Sequence, residues 1–159
     1  MKPRVYIETS VISYLTSRPS RDLVVAAHQE VTRQWWEERS DKFDLVIAEL
    51  VLIEAEKGDS DAANARLTVL KSLPLVPATQ AAQNLAEKLL ADHLVPQQAS
   101  ADALHIALAA TNGIEFLLTW NCKHLANALL RKRITAIIDQ EGYEYPVICT
   151  PDELLEINP

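Results

Sequence analysis

The sequence predicts an α/β protein with three layers (α/β/α), in which helices cover both faces of a mainly parallel central sheet. Short runs of apolar and β-branched residues alternate with longer segments of helical periodicity. Such alternation favours parallel strands joined by helices. No internal repeat or Gly/Ser-rich linker divides the chain. Since 159 residues are an ordinary length for one domain, we predict a single domain over residues 1–159.

The chain opens with a predicted strand at residues 5–7, which leads directly into a helix. Thr9 or Ser10 can serve as the N-cap of that helix, because a hydroxyl there accepts a hydrogen bond from one of the first unpaired amides. Glu8 therefore lies at the junction between the strand and the helix.

A long amphipathic helix is predicted for residues 22–40, because four apolar residues recur at intervals of four. We expect one buried stripe formed by Leu23, Ala27, Val31 and Trp35. The next strand, at residues 43–48, runs into a second helical pattern that contains Glu49 and Glu54. Gly58 then ends this helix.

The rest of the chain continues the same alternation, with a loop at Pro96 and a helix N-cap at Ser100. In the helix before that loop, three leucines are expected to face inward: Leu85, Leu89 and Leu90. The remaining predicted helices cover residues 60–72, 79–92, 100–113 and 151–155, and another starts near Cys122. The remaining predicted strands cover residues 75–76, 116–119 and 147–149.

Composition and charge narrow the functional classes. Two cysteines, Cys122 and Cys149, are too few for a disulfide-stapled secreted domain. Neither a signal peptide nor a run of about 18 apolar residues is present, so we expect a cytoplasmic protein without a membrane span. A net charge of −7 argues against a broad basic surface for nucleic acid. A local contact with nucleic acid would have to use a few basic residues: Arg18, Arg21, Lys123 and residues 131–133. The simpler explanation of these residues is that they are solvated ends of helices.

Acidic and amide side chains follow the predicted strands or lie on helices that can turn toward the strand ends, where ligands gather in parallel sheets. The candidates are Glu8, Glu54, Asp102 and Asn121. Glu49 is an alternative to Glu54. Carboxylates brought this close repel one another unless a cation compensates. Oxygen ligands suit Mg²⁺ or Mn²⁺, and such an ion can activate water for attack on a phosphodiester. At any single position, an acid at a helix start is more often a cap than a ligand.

Three neighbouring residues allow more than one interpretation. Ser10 can contact a metal-bound water or cap a helix. His105 lies three residues after Asp102 on one helix face, so it can orient that carboxylate or contact phosphate. A hydrogen-bonded core histidine is the favoured interpretation. Trp120 can stack on a base or pack against its neighbours.

Four pieces of the sequence occur in a characteristic order: residues 5–12 (VYIETSVI), Glu54, residues 101–107 (ADALHIA) and residues 117–121 (LLTWN). Together they resemble the PIN-domain family, including its VapC-type toxins. The first piece resembles the family's opening strand with an acid, Thr and Ser. The third resembles the helix with a further acid, and the fourth the strand that leads to the last polar ligand. The resemblance spans nearly the whole chain.

The resemblance implies a metal-dependent ribonuclease with a PIN-like α/β/α fold. It assigns Glu8, Glu54 and Asp102 as acidic metal ligands and Asn121 as the last polar ligand. Two of these depart from the family pattern. Glu8 stands where Asp is more usual, and its carboxylate lies one C–C bond farther from the backbone. Asn121 stands where Asp is frequent, and its amide offers oxygen without charge, so we expect weaker metal affinity.

We therefore hypothesise a metal-dependent endoribonuclease that uses these four residues, Mg²⁺ or Mn²⁺, and an RNA substrate. The resemblance also implies a homo-oligomer and, if the chain is the toxin of a type II toxin-antitoxin pair, an antitoxin partner. The alternative is a catalytically impaired PIN-like module that binds RNA or protein, because Glu8 and Asn121 depart from the pattern.

Overall fold

The computed structural model describes residues 1–91, 100–121, 125, 128–157 and 159. The strands of this part of the chain are β1 (Arg4–Ile7), β2 (Asp44–Val46), β3 (Phe116–Leu118) and β4 (Val147–Cys149). They form one sheet in the order β2-β1-β3-β4, and every neighbouring pair is parallel. Helices flank the sheet. The predicted α/β/α fold with a parallel central sheet is therefore confirmed.

Eight α-helices lie in the described residues, and a short 3₁₀ helix at Ser40–Lys42 precedes β2. They are α1 (Thr9–Thr16), α2 (Leu23–Glu38), α3 (Glu49–Ala55), α4 (Ser60–Leu70), α5 (Gln80–Ala91), α6 (Ser100–Thr111), α7 (Ala128–Gln140) and α8 (Pro151–Leu155). Within this part of the chain, no helix has the length and apolar character needed to cross a membrane.

The order in which strands are added to the sheet changes side at β1. The chain forms β2 on one side of β1 and later forms β3 on the other side. In open α/β sheets, ligands bind at the carboxyl ends of strands where the order reverses in this way. Two backbone hydrogen bonds continue the pairing past these ends, from Glu8 N to Leu118 O at 3.0 Å and from Thr119 N to Cys149 O at 2.9 Å. The main chain therefore fixes Glu8 and Thr119 next to each other.

Helix α6 is enclosed on almost every side. Its buried residues are Ala103 and the continuous run 105–110, and a helix that is apolar around its circumference is expected to lie inside a protein. Helix α5 packs against it. Burial of α6 places two polar side chains of its first turns, Asp102 and His105, close to the carboxyl ends of the strands.

The predicted apolar stripe of α2 is wrong. Leu23 is 86% exposed and Ala27 is also exposed, whereas the buried residues of this helix are Gln29, Thr32 and Trp35. With 3.6 residues per turn, each step of four residues advances about 40° around a helix. Three such steps place Leu23 about 120° away from Trp35, so only the end of the predicted stripe faces the core.

The N-cap of α1 is Glu8, and the prediction of Thr9 or Ser10 is wrong. Glu8 has an extended backbone (φ −79°, ψ 153°), and its carboxylate accepts a hydrogen bond from the Ser10 amide. A carboxylate suits this position because it pairs an orphan amide at the positive end of the helix dipole. The hydroxyls of Thr9 and Ser10 are thereby available for other contacts.

Smaller differences concern the ends of elements. The strand predicted at residues 75–76 is reduced to one parallel bridge between Ile47 and Leu75. Ser100 is the first residue of α6 and not its N-cap. Of the three α5 leucines expected to face inward, two are buried and the last is half-buried: Leu85, Leu89 and Leu90. Three predicted positions lie outside the described residues: Asp92, Pro96 and Cys122.

Candidate metal centre

Glu8 lies at the end of β1 with one carboxylate oxygen saturated by hydrogen bonds. The residue is 6% exposed. Its Oε2 accepts hydrogen bonds from the Ser10 amide at 3.1 Å, from the Ser10 hydroxyl, and from Thr119 Oγ1 at 2.7 Å. No residue in the described part of the chain donates to Oε1. The carboxylate is therefore held in place through Oε2, and Oε1 can still accept a contact.

Glu54 has the same asymmetry. It lies in the last turn of α3 and is half-buried. Its Oε1 accepts a hydrogen bond from Thr9 Oγ1 at 2.7 Å and lies 2.7 Å from His105 Nε2. Among the residues that the structure describes, none donates to Oε2. Thr9 and His105 thus fix the orientation of this second carboxylate.

His105 links Glu54 to the buried phenol of Tyr6. His105 is fully buried, and its Nδ1 lies 2.7 Å from the Tyr6 hydroxyl. An ionised carboxylate can only accept hydrogen bonds, so the Nε2 that faces Glu54 carries a proton. In a neutral imidazole, Nδ1 then accepts a hydrogen bond from Tyr6 O–H. His105 is therefore a hydrogen-bonded core histidine that contacts Glu54 and not Asp102.

The surroundings shift the pKa values of Tyr6 and Glu54, the two residues that His105 connects. Burial raises the pKa of Tyr6 well above its usual value, and the charges of Glu8 and Glu54 raise it further. The phenol consequently keeps its proton. Burial also raises the pKa of Glu54, but the hydrogen bonds from His105 and Thr9, together with the electrostatic effects of the imidazole and of Lys57, outweigh burial, so the net pKa is lowered. Glu54 is therefore ionised at neutral pH.

The donor set at this point fits a divalent cation. Ligand atoms of Glu8, Glu54 and His105 all lie within 4.8 Å of one another. Two carboxylates at such a distance, one of them almost buried, repel each other unless positive charge lies between them. Both nitrogens of His105 already have partners, so the available ligand atoms are carboxylate oxygens. Oxygen ligands favour hard ions such as Mg²⁺ and Mn²⁺.

Asp102 and Asn121 form a second pair beside the first. Asp102 lies three residues before His105, hence on the same face of α6. Asn121 Nδ2 lies 3.2 Å from each carboxylate oxygen of Asp102. The backbone amide of Asn121 donates to Thr119 Oγ1 at 2.9 Å, and that same hydroxyl donates to Glu8. Thr119 therefore connects the two pairs.

Comparison with known proteins identifies the family of this chain. The family model for the PIN domain matches residues 5–124. The chain belongs to the PIN-domain family. One chain of the crystal structure of VapBC2 from Rickettsia felis, bound to a DNA fragment from their promoter, has a similar fold, with a TM-score of 0.58 and 13% identity. The similarity covers 92% of this chain and 98% of that one. No curated protein matches the sequence.

Within the PIN domain, the predicted ligands fall into two groups. The structure brings Glu8 together with Glu54, and Asp102 together with Asn121. Asp102 lies outside the group of ligand atoms that surrounds Glu8. Glu49, the alternative to Glu54, is exposed in the first turn of α3. The ligand role of each residue stays a prediction.

Three residues that hold the carboxylates were not singled out as site residues from the sequence: Tyr6, Thr9 and Thr119. Thr119 was assigned to a strand, although a hydroxyl directly after β3 is well placed to reach the neighbouring strand end. Tyr6 is the one polar side chain in the buried part of β1, and a buried phenol usually has a hydrogen-bond partner. These two signals were available in the sequence.

Trp120 is a packed side chain next to this centre. Its ring stacks on His28 with centroids 4.0 Å apart, and its Nε1 donates to Thr32 Oγ1 at 2.8 Å. Its backbone amide donates to Ser10 Oγ at 2.9 Å. These contacts favour packing over base stacking. The basic residues considered for RNA contact are exposed wherever they are described: Arg18, Arg21 and residues 131–133. Lys123 lies outside the described residues.

Proposed function

We propose that this PIN-domain chain is a metal-dependent endoribonuclease and the toxin of a type II toxin-antitoxin pair. The observation that carries the proposal is the approach of Glu8 to Glu54 at the carboxyl ends of the parallel strands, beside the Asp102–Asn121 pair. PIN domains are generally metal-dependent nucleases, so family membership supports the same class of reaction.

In the proposed centre, Glu8 and Glu54 hold Mg²⁺ or Mn²⁺, and Asp102 and Asn121 complete the ligand set. When bound, such an ion lowers the pKa of a water and stabilises negative charge that develops on a phosphate. The protein keeps the ligands in place before the ion arrives, since each glutamate is already oriented through one oxygen. Preorganisation of this kind lowers the cost of binding.

The partners belong to the same proposal. RNA is the proposed substrate because the family is known for ribonucleases, and the proposed homo-oligomer also rests on the family. The proposed cytoplasmic location rests on the low cysteine content of the sequence. The fold is similar to a chain of VapBC2, which was crystallised on promoter DNA. That likeness supports an antitoxin partner for this chain.

The test is cleavage of a mixed pool of structured and single-stranded RNA with Mn²⁺, with Mg²⁺ and with a chelator. We expect cleavage by the wild type only when metal is present, and its loss in Asp102→Ala. Glu49→Gln is the matched control, because this exposed acid lies outside both pairs. Circular dichroism of each variant confirms that it is folded. Equal cleavage by wild type and Asp102→Ala would contradict the assignment.

A second candidate function is a PIN-like module that binds RNA or protein without cleavage. The arrangement of Asn121 favours it, because the amide donates to Asp102 and adds no negative charge for a cation. Thermal stability measured against Mn²⁺ concentration separates the two functions, since a ligand of the native state raises stability. No effect of Mn²⁺, together with RNA binding that resists a chelator, would favour the module.

A further inference from the structure

We propose that His105 is a positioning residue that holds Glu54 Oε1 so that Oε2 is the oxygen offered to the cation, and that His105 is not itself a metal ligand. This inference rests on the proposed metal-dependent function. It assigns a role to a side chain that has a ligand atom within 4.8 Å of those of both glutamates.

The hydrogen bonds of Glu54 are all on one oxygen. Thr9 Oγ1 and His105 Nε2 both lie 2.7 Å from Oε1, whereas no described residue donates to Oε2. Glu8 repeats the pattern with its own donors, which all reach Oε2 and leave Oε1. The two carboxylates lie with ligand atoms within 4.8 Å of one another, and each has one oxygen to which no described residue donates, so one cation can be shared between them.

The surroundings of His105 argue against direct coordination. Its ring is fully buried, Nδ1 is paired with the Tyr6 hydroxyl, and Nε2 is paired with Glu54. To bind a cation, Nε2 would have to lose its proton and would then face Oε1 of Glu54 with one lone pair against another. The Tyr6 hydroxyl, which donates to Nδ1, keeps the imidazole proton on Nε2 and so maintains the hydrogen bond to Glu54.

Residues that orient a metal ligand affect binding strongly without touching the ion. Their replacement typically weakens metal affinity by about 10–100-fold. We therefore expect this loss for any change that removes the donor to Glu54 Oε1, and little loss for a change that preserves it. A purely structural role of His105 would predict no difference between these two kinds of change.

Two variants test the roles of the two ring nitrogens of His105 separately. The side-chain amide nitrogen of His105→Gln lies as many bonds from Cα as Nε2 does, so it can still donate to Glu54. The amide of His105→Asn matches Nδ1 instead, so it can still accept from Tyr6 but cannot reach Glu54. Both variants replace the same buried imidazole with an amide. Thermal denaturation in chelator establishes that each one folds.

The measurement is the dissociation constant of Mn²⁺ alone, from the electron paramagnetic resonance signal of the unbound ion. We expect His105→Asn to bind about 10–100-fold more weakly than wild type, and His105→Gln to recover most of that loss. Equal affinity of the Asn and Gln variants would overturn the positioning role. Pulsed spectra of Mn²⁺ bound to the wild type should lack the nitrogen coupling of a coordinated imidazole.

The outcomes distinguish this inference from the proposed function. If the wild type binds Mn²⁺ and shows an imidazole nitrogen coupling that disappears in His105→Gln, His105 is a ligand and this inference fails while the metal-dependent function survives. If the wild type binds no Mn²⁺ at all, the proposed function and the inference fail together.

Discussion

The hydroxyl of Thr119 donates to Glu8 Oε2 at 2.7 Å across 111 residues of sequence. The same hydroxyl accepts a hydrogen bond from the backbone amide of Asn121 at 2.9 Å. Thr119 is fully buried. One small side chain therefore ties the end of β3 to the end of β1 and joins the two pairs of candidate ligands.

Removal of this hydroxyl should weaken the fold. In Thr119→Val the shape is kept, but the Asn121 amide and one lone pair of Glu8 lose their partner. We expect the free energy of unfolding to fall by about 1–3 kcal/mol. Thr119→Ser keeps the hydroxyl and should lie closer to the wild type. Urea denaturation of the three proteins in chelator measures the difference, and a Val variant as stable as the Ser variant would refute it.

Glu54 and Glu49 lie on the same helix and provide a matched test of metal binding. At a Mn²⁺ concentration about 100 times its dissociation constant, the free energy of unfolding of the wild type should rise by about 2.7 kcal/mol. Glu49→Gln should show the same gain, because Glu49 is exposed in the first turn of α3. Glu54→Gln should lose most of it. Denaturation with Mn²⁺ and with chelator gives these values, and equal gains in both variants would exclude Glu54 as a ligand.

Asn121→Asp should make the fold more dependent on metal. The new carboxylate would face Asp102 where the amide now donates at 3.2 Å, so in chelator the two negative charges repel and stability falls. With Mn²⁺, the added charge should strengthen binding. We expect the melting temperatures with and without Mn²⁺ to differ more in this variant than in wild type. A smaller difference would show that residue 121 does not contribute to the site.

Cys149 should be an unreactive thiol in the folded protein. Burial raises its pKa from 9.0 to about 12, and the charges of Glu153 and Asp152 add to the effect. The thiolate is the reactive form, so in a Cys122→Ser background iodoacetamide should modify the protein at neutral pH only after unfolding. Rapid modification of the native protein would contradict the burial of Cys149.

The same pKa shift has a consequence for stability at alkaline pH. The unfolded chain releases the Cys149 proton near its ordinary pKa of 9.0, whereas the folded chain retains it up to about 12. The contribution of this group is therefore constant below the lower value and is lost as pH rises between the two. Cys149→Ala should lose less stability than wild type over this range, as measured by urea denaturation.

Local patterns in the sequence were enough to predict the sheet and the residues at its strand ends. Parallel strands bring their carboxyl ends to one edge, so the positions of Glu8 and Asn121 at that edge follow from the order of the elements. The order of the elements does not predict which of these side chains form hydrogen bonds with one another. His105 shares a helix face with Asp102 but bonds to Glu54, because its hydrogen-bond partner depends on how α3 and α6 pack. The face of α2 was likewise misassigned, since intervals of four drift around a helix.

The long sequence separation between Glu8 and Thr119 has a consequence during protein synthesis. A nascent chain of about one hundred residues contains Glu8 and Glu54 but has neither the imidazole of His105 nor the hydroxyl of Thr119. It also lacks β3, the strand that pairs with β1, and pairing between distant segments must wait until both have been made. The proposed nuclease therefore cannot assemble its centre while most of it is still being translated.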